Sequence, residues 1–177
     1  MKAYVFSALM FLGSILSSYA SQIKHYKVQP VEGMTRAEIY LWSPSEEVKA
    51  VLVYCPGHNG VGKSFVENKD WQKYAKLNNV VLCGLSFASP IRTTKQGKGY
   101  SYAAQGSGEI LTDCIDQFCP KKQMPIYLYG YSAGARFTAS FMAWKPDRVL
   151  SWCASGVGTW PNLPDAKAKN IPHGIVA

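Results

Sequence analysis

From residue 49 onward, apolar residues come in short, almost unbroken runs separated by polar, glycine- and proline-rich stretches. Residues 49–55 (KAVLVYC), 80–85 (VVLCGL), 125–129 (PIYLY) and 149–154 (VLSWCA) are such runs. Over residues 49–55 the nearly continuous apolar character predicts a strand buried on both faces of a sheet, residues 80–85 predict another buried strand, and residues 125–129 and 149–154 predict two further strands. Between them the period changes. Residues 68–77 set Trp71, Tyr74, Ala75 and Leu77 or Asn78 at helical spacing, and residues 106–118 gather Ile110, Leu111, Cys114, Ile115 and Phe118 on one side,. A third helix is predicted over residues 133–144, closed by Pro146,. Residues 24–29 and the alternating residues 36–42 predict two earlier strands, and residues 171–177 open one more. Strands first, then strand–helix alternation, predicts an α/β domain with a mostly parallel sheet and helices on both faces.

The first twenty residues break this pattern. Lys2 is followed by an apolar run over residues 3–16 and then by Ser18-Tyr19-Ala20. That is the form of a secretory signal peptide cleaved after Ala20, which leaves a domain over residues 21–177 and predicts a secreted or periplasmic protein. Ser7, Gly13 and Ser14 interrupt the run, so stable membrane insertion is not expected,.

The chain of 177 residues is 47% hydrophobic and 17% charged, which suits one folded domain rather than a disordered one,. Its formal charge is +8, with lysines scattered along the chain and pairs such as Lys121-Lys122 and Lys167/Lys169. Without a dense basic block this reads as a solvated surface, and nucleic acid is not an expected partner. Of the five cysteines, Cys55, Cys83 and Cys153 lie in or beside apolar runs and read as small buried hydrophobes,. Cys114 and Cys119 flank a helix end, where a local bridge is conceivable; the odd count leaves at least one thiol unpaired in a monomer,. No cysteine or histidine spacing suggests a metal site.

The chemistry concentrates at Gly130-Tyr131-Ser132-Ala133-Gly134, where an apolar strand gives way to a helix. A serine on such a bend projects its hydroxyl above the carboxyl ends of the strands, and the glycines leave room for the bend. The free amides at the helix start favour negative charge. Ser132 is therefore the candidate nucleophile. The backbone N–H of Ala133 is one candidate oxyanion donor. The second is the N–H of His58 in the loop Pro56-Gly57-His58-Asn59-Gly60, which follows an earlier buried strand,. The plainer alternative makes Pro56-Gly57 a turn and His58 an exposed loop residue.

With these two motifs the chain resembles the α/β-hydrolase superfamily. Within it the chain is most similar to secreted esterases of the polyhydroxybutyrate-depolymerase, feruloyl-esterase and dienelactone-hydrolase kind, from residue 36 to the last. The resemblance implies an eight-stranded, mostly parallel sheet and a Ser–acid–His triad. It also implies a small-molecule or polymeric ester as substrate, and no metal or organic cofactor.

In that fold the acid and the histidine follow the serine. After Ser132 the acids are Asp147, expected in a turn, and Asp165; the one histidine is His173. Two readings stay open. In one, Asp165 is the acid and His173 the base. In the other, residues 171–177 form the strand that precedes the acid, so the last strands and both partners lie outside this sequence; strand order favours this one. The corresponding function classes are a serine ester hydrolase, a non-catalytic or fragmentary hydrolase-derived protein, and a peptidase of the same fold. His25 precedes the serine and reads as structural. Arg136 could hold a substrate carboxylate, and Tyr100, Tyr102 and Trp160 could line a pocket. Asp113 and Asp116 read as a solvated helix face.

Overall fold

The computed structural model describes residues 22–45, 47–91, 97–119, 121–156 and 170–176, without the side chains of Ile175 and Val176. Residues 1–20, with the expected signal peptide, and Trp160 and Asp165 lie outside the described residues. The strands are β1 (Lys24–Lys27), β2 (Arg36–Trp42), β3 (Ala50–Cys55), β4 (Val80–Ala88), β5 (Ile126–Tyr131), β6 (Val149–Ser155) and β7 (His173–Val176). The helices are α1 (Lys63–Glu67), α2 (Lys69–Asn78), α3 (Ser107–Phe118) and α4 (Ala133–Trp144). The sheet runs β1-β2-β4-β3-β5-β6-β7; β1 with β2 and β2 with β4 are antiparallel, and the other pairs are parallel.

The sheet is fully covered on both sides at β4, while β3, β5 and β6 bury one face and leave the other half-buried or partly exposed. Val51 and Val53 of β3 join Ile126 and Leu128 of β5 in a core with Leu111, Ile115, Phe137 and Phe141 from α3 and α4. On the opposite face Tyr40, Trp42, Val80 and Leu82 pack against Phe65 and Val66 of α1 and Ala75 of α2. Successive side chains of a strand point to opposite faces, so both sets must be apolar. Asn68 caps α2, its Oδ1 accepting from the N–H groups of Asp70 and Trp71 at 2.9 and 3.0 Å,. Asn79 ends that helix at φ 52°, and β4 begins at once,.

Three features differ from the sequence reading. Helix α1 has five residues, too short for a period to show,. Asp116 is not merely solvated: it takes two hydrogen bonds from the Arg148 guanidinium (2.8 and 3.2 Å) and one from the Gln123 amide (2.8 Å). It thereby ties α3 to the connection ahead of β6. All five cysteines are free thiols. Cys114 lies within α3, and Cys119 caps its end with extended backbone. Burial pushes the thiols of both up to about 12. Among the described residues no helix is long and apolar enough to cross a membrane, and no cluster of acidic, histidine and cysteine side chains could hold a metal ion.

Candidate active site

The chain leaves β3 toward β4 on one side and returns past it to β5 on the other. This reversal opens a crevice at the carboxyl ends of β3 and β5, the place where sheets of this type bind ligands. Two segments meet there: the bend after β5 and the loop after β3.

Ser132 sits on the bend at φ 54° and ψ −119°, a conformation that residues with a Cβ rarely adopt,. Its own N–H donates to Ser155 O at 2.8 Å, which anchors the bend to the end of β6. Its carbonyl accepts from the N–H groups of Ala135 and Arg136 at 3.0 and 3.3 Å, starting α4. The side chain is half-buried, and among the described residues nothing hydrogen-bonds its hydroxyl. Both glycines are needed by contact. A Cβ at Gly130 would strike the carbonyl of Gly134, and one at Gly134 would strike the carbonyls of Cys55 and Pro56. The start of α4 thus lies directly on the exit of β3.

That packing brings the loop after β3 to the serine. A Cβ built on Gly57 would lie 3.6 Å from Ser132 Cβ and 3.4 Å from the Tyr131 ring. The loop closes as a turn in which Gly60 N–H donates to Gly57 O at 2.9 Å. The N–H groups of Gly57 and His58 have no acceptor among the described residues, and neither does that of Ala133, since first-turn helical amides lack intrahelical partners,. Unpaired amides therefore flank Ser132 from two segments. Gly57 escapes a sequence reading that counts only positions; its contact with the bend appears once the two strands are neighbours.

Beneath the loop, Tyr100 is 4% exposed, lining a small cavity with Cys55, Pro56, Leu85, Phe87 and Phe137. Its ring lies 6.4 Å from the exposed His58 ring. Burial pushes the Tyr100 phenol up to about 12, with the Asn59 amide pulling weakly the other way. Tyr100 is thus part of the floor under the loop, and Tyr102 is half-buried nearby in sequence. Arg136, one turn into α4, is half-buried with no carboxylate in ion-pair range among the described residues.

The remaining candidates lie elsewhere. His173 opens β7, paired with Trp152, which is paired with Leu128. It is level with a residue four positions before Ser132, about 13 Å along the strands, and two strands away, about 10 Å across,. Its ring stacks on Trp152 (5.4 Å), and its Nδ1 is 3.0 Å from Ile171 O. The structure does not bring it to Ser132. Asp147 lies exposed in a 3-10 turn ahead of β6, at the opposite end of the sheet from the bend. His25 is on β1, stacked on Tyr40 and bonded to Glu38 at 3.1 Å.

No protein-family model matches the sequence, and no curated protein matches it. Solved structures do. A cold-adapted esterase from an Arctic intertidal metagenomic library superposes with TM-score 0.57 at 15% identity, over 79% of this chain and 62% of its own. An S-formylglutathione hydrolase from Agrobacterium tumefaciens gives 0.58 at 13% identity, over 78% and 59%. Poly(aspartic acid) hydrolase-1 from Sphingomonas sp. KT-1 gives 0.60 at 16% identity, over 88% and 70%. This chain spans about three fifths of the length of the first two. At such identities the likeness establishes the fold, and the chain has the α/β-hydrolase fold.

Proposed function

We propose that this chain, built on the α/β-hydrolase fold, is an exported serine hydrolase of carboxylic esters with Ser132 as nucleophile. The observation that carries the reading is the strained backbone at Ser132, whose hydroxyl and flanking amides from two segments have no hydrogen-bond partner among the described residues. In the reaction Ser132 Oγ attacks the acyl carbon, and the carbonyl electron pair moves onto oxygen. The amides of Ala133 and of His58 or Gly57 receive that negative charge. Collapse expels the alcohol and leaves an acyl-serine, which water then cleaves to acid and free serine. The serine proton needs a base. The separation of His173 from Ser132 favours a base and acid drawn from outside the described residues over a pair formed by His173 and Asp165. Export rests on the leader-like residues 1–20,.

The same separation supports a second reading, a non-catalytic protein that retains the hydrolase fold. A fluorophosphonate probe and p-nitrophenyl acetate distinguish the two. Covalent labelling at Ser132 with ester turnover, both lost in Ser132→Ala, is the expected result. A parent protein that neither labels nor turns over ester would overturn the hydrolase reading. Turnover of a p-nitroanilide in preference to the ester would move the assignment to a peptidase.

A further inference from the structure

Arg36, at the start of β2, takes no part in the bend or the helix after it, yet its guanidinium ends under the loop beside Ser132. Nη2 donates to Asn59 O at 2.7 Å and to Gly60 O at 2.9 Å, and Nε donates to Ser86 O at 3.1 Å. No carboxylate lies in ion-pair range of it among the described residues. The cation is spent wholly on backbone carbonyls, two of them consecutive in the loop.

We propose that Arg36 is a positioning residue that holds the loop after β3 in the form that offers its amides to the oxyanion. The proposal rests on the hydrolase reading above. Two successive carbonyls turned to one side repel one another unless a positive donor sits between them, and a planar fork with several N–H groups meets both at once. Turning the Asn59 and Gly60 carbonyls toward β2 fixes the peptide planes that close the Gly57–Gly60 turn. The Gly57 and His58 amides belong to that turn, so their direction is set with it. Other bonds hold the same loop. Asn59 stands at φ 56° and its Oδ1 accepts from Ser89 N–H at 2.9 Å. Ser86 Oγ accepts from Gly62 N–H at 2.9 Å just beyond it. Ser89 Oγ accepts from Tyr100 N–H at 2.9 Å, pinning the floor. Among the described residues Arg36 is the one charged side chain in this network, and its hydrogen bonds go to Ser86, Asn59 and Gly60 rather than to Ser132. Oxyanion stabilisation depends on donor position at the transition state, so loosening the clamp acts on the chemical step and spares binding.

The test is fluorophosphonate labelling of the full chain, resolved into kinact and KI, for the parent, Arg36→Met, Arg36→Lys and Asn59→Gly, with thermal melting and amide exchange of residues 57–60. Arg36→Met is expected to lower kinact at least tenfold with KI within twofold. Arg36→Lys should recover part of the rate, because one ammonium serves the two carbonyls less well. The Gly57 and His58 amides should exchange faster in Arg36→Met than in the parent. A folded Arg36→Met that labels within twofold of the parent rate overturns the proposal and leaves the hydrolase reading intact. Should Arg36→Met fail to fold, Arg36→Lys decides, since it keeps the charge and gives up the planar fork, with Asn59→Gly, which loses only the Ser89 bond, as the control. A fall in kinact at constant KI in Arg36→Lys supports the clamp, and an unchanged kinact overturns it. A parent chain that never labels at Ser132 overturns the hydrolase reading and the clamp together, an outcome distinct from the other two.

Discussion

At Ser132 a residue with a Cβ is held at φ 54°, and holding it there costs about 1–3 kcal/mol,. The strain is local, so it is removable. Ser132→Gly should raise stability by about 1 kcal/mol in urea denaturation, strain relief outweighing the greater chain entropy of glycine, while abolishing labelling. A loss of stability in that variant would show that the bend is not strained. The neighbouring glycines behave in the opposite sense. Gly134→Ala drives a methyl into the Cys55 and Pro56 carbonyls. It should cost at least about 1–3 kcal/mol and separate the loop from the serine, seen as lower Tm with loss of labelling. Unchanged melting would contradict the contact between α4 and β3. The glycine–serine–glycine order was readable because its spacing is local. The approach of Gly57 and the clamp from Arg36 were not, since 23 residues separate Arg36 from Asn59 and no short pattern links them.

Among the elements, the run over β4 was legible because two-sided burial demands apolar residues at every position, and those over β3, β5 and β6 because one face is buried while the other, largely half-buried, still carries apolar and aromatic residues,. Their ends were less so. β4 continues through Ser86 to Ala88, and the polar Ser86 hides this in sequence; in the fold its hydroxyl is buried against Gly62 N–H. β5 likewise runs on to Tyr131, 53% exposed at the rim of the crevice. Asn68 is a sequence-level cap whose worth is measurable: Asn68→Ala should lower stability by about 1 kcal/mol with no effect on labelling,. For β7, the pairing of His173 with Trp152 places the histidine, exposed and stacked on the Trp152 ring, at the middle of the sheet's depth. His173→Ala should therefore weaken the sheet modestly and leave Ser132 labelling at the parent rate per folded molecule. Loss of labelling without loss of folding would instead favour the Asp165–His173 pair.

For the molecule as a whole, the thiols report how closely the layers pack. Burial pushes Cys55 and Cys83 well above the ordinary thiol value of 9.0, and Cys114 and Cys119 up to about 12. These groups hold protons in the folded state that the unfolded chain releases above about pH 9. The folded form then binds more protons, so stability falls as pH rises from about 9 toward 12, and the gain is fully present below that window. Denaturation midpoints measured from pH 7 to 11 should decline accordingly. A flat profile would mean that the thiols are not enclosed. By the same reasoning, iodoacetamide at pH 8 should reach the buried Cys55, Cys83 and Cys114 only on unfolding.

What the sequence by itself determined is the set of local decisions: which runs are buried strands, which are amphipathic helices, and where a serine sits on a strand-to-helix bend between glycines. Each depends on residues within one turn or one strand of each other, where period and sterics act directly. Only the tertiary structure decided that the loop after β3 lies against that serine, that Arg36 holds it from beneath, and that His173 is carried away on β7. Those outcomes follow from strand order and register, which are set by the packing of both sheet faces together and leave no mark on a short stretch of chain.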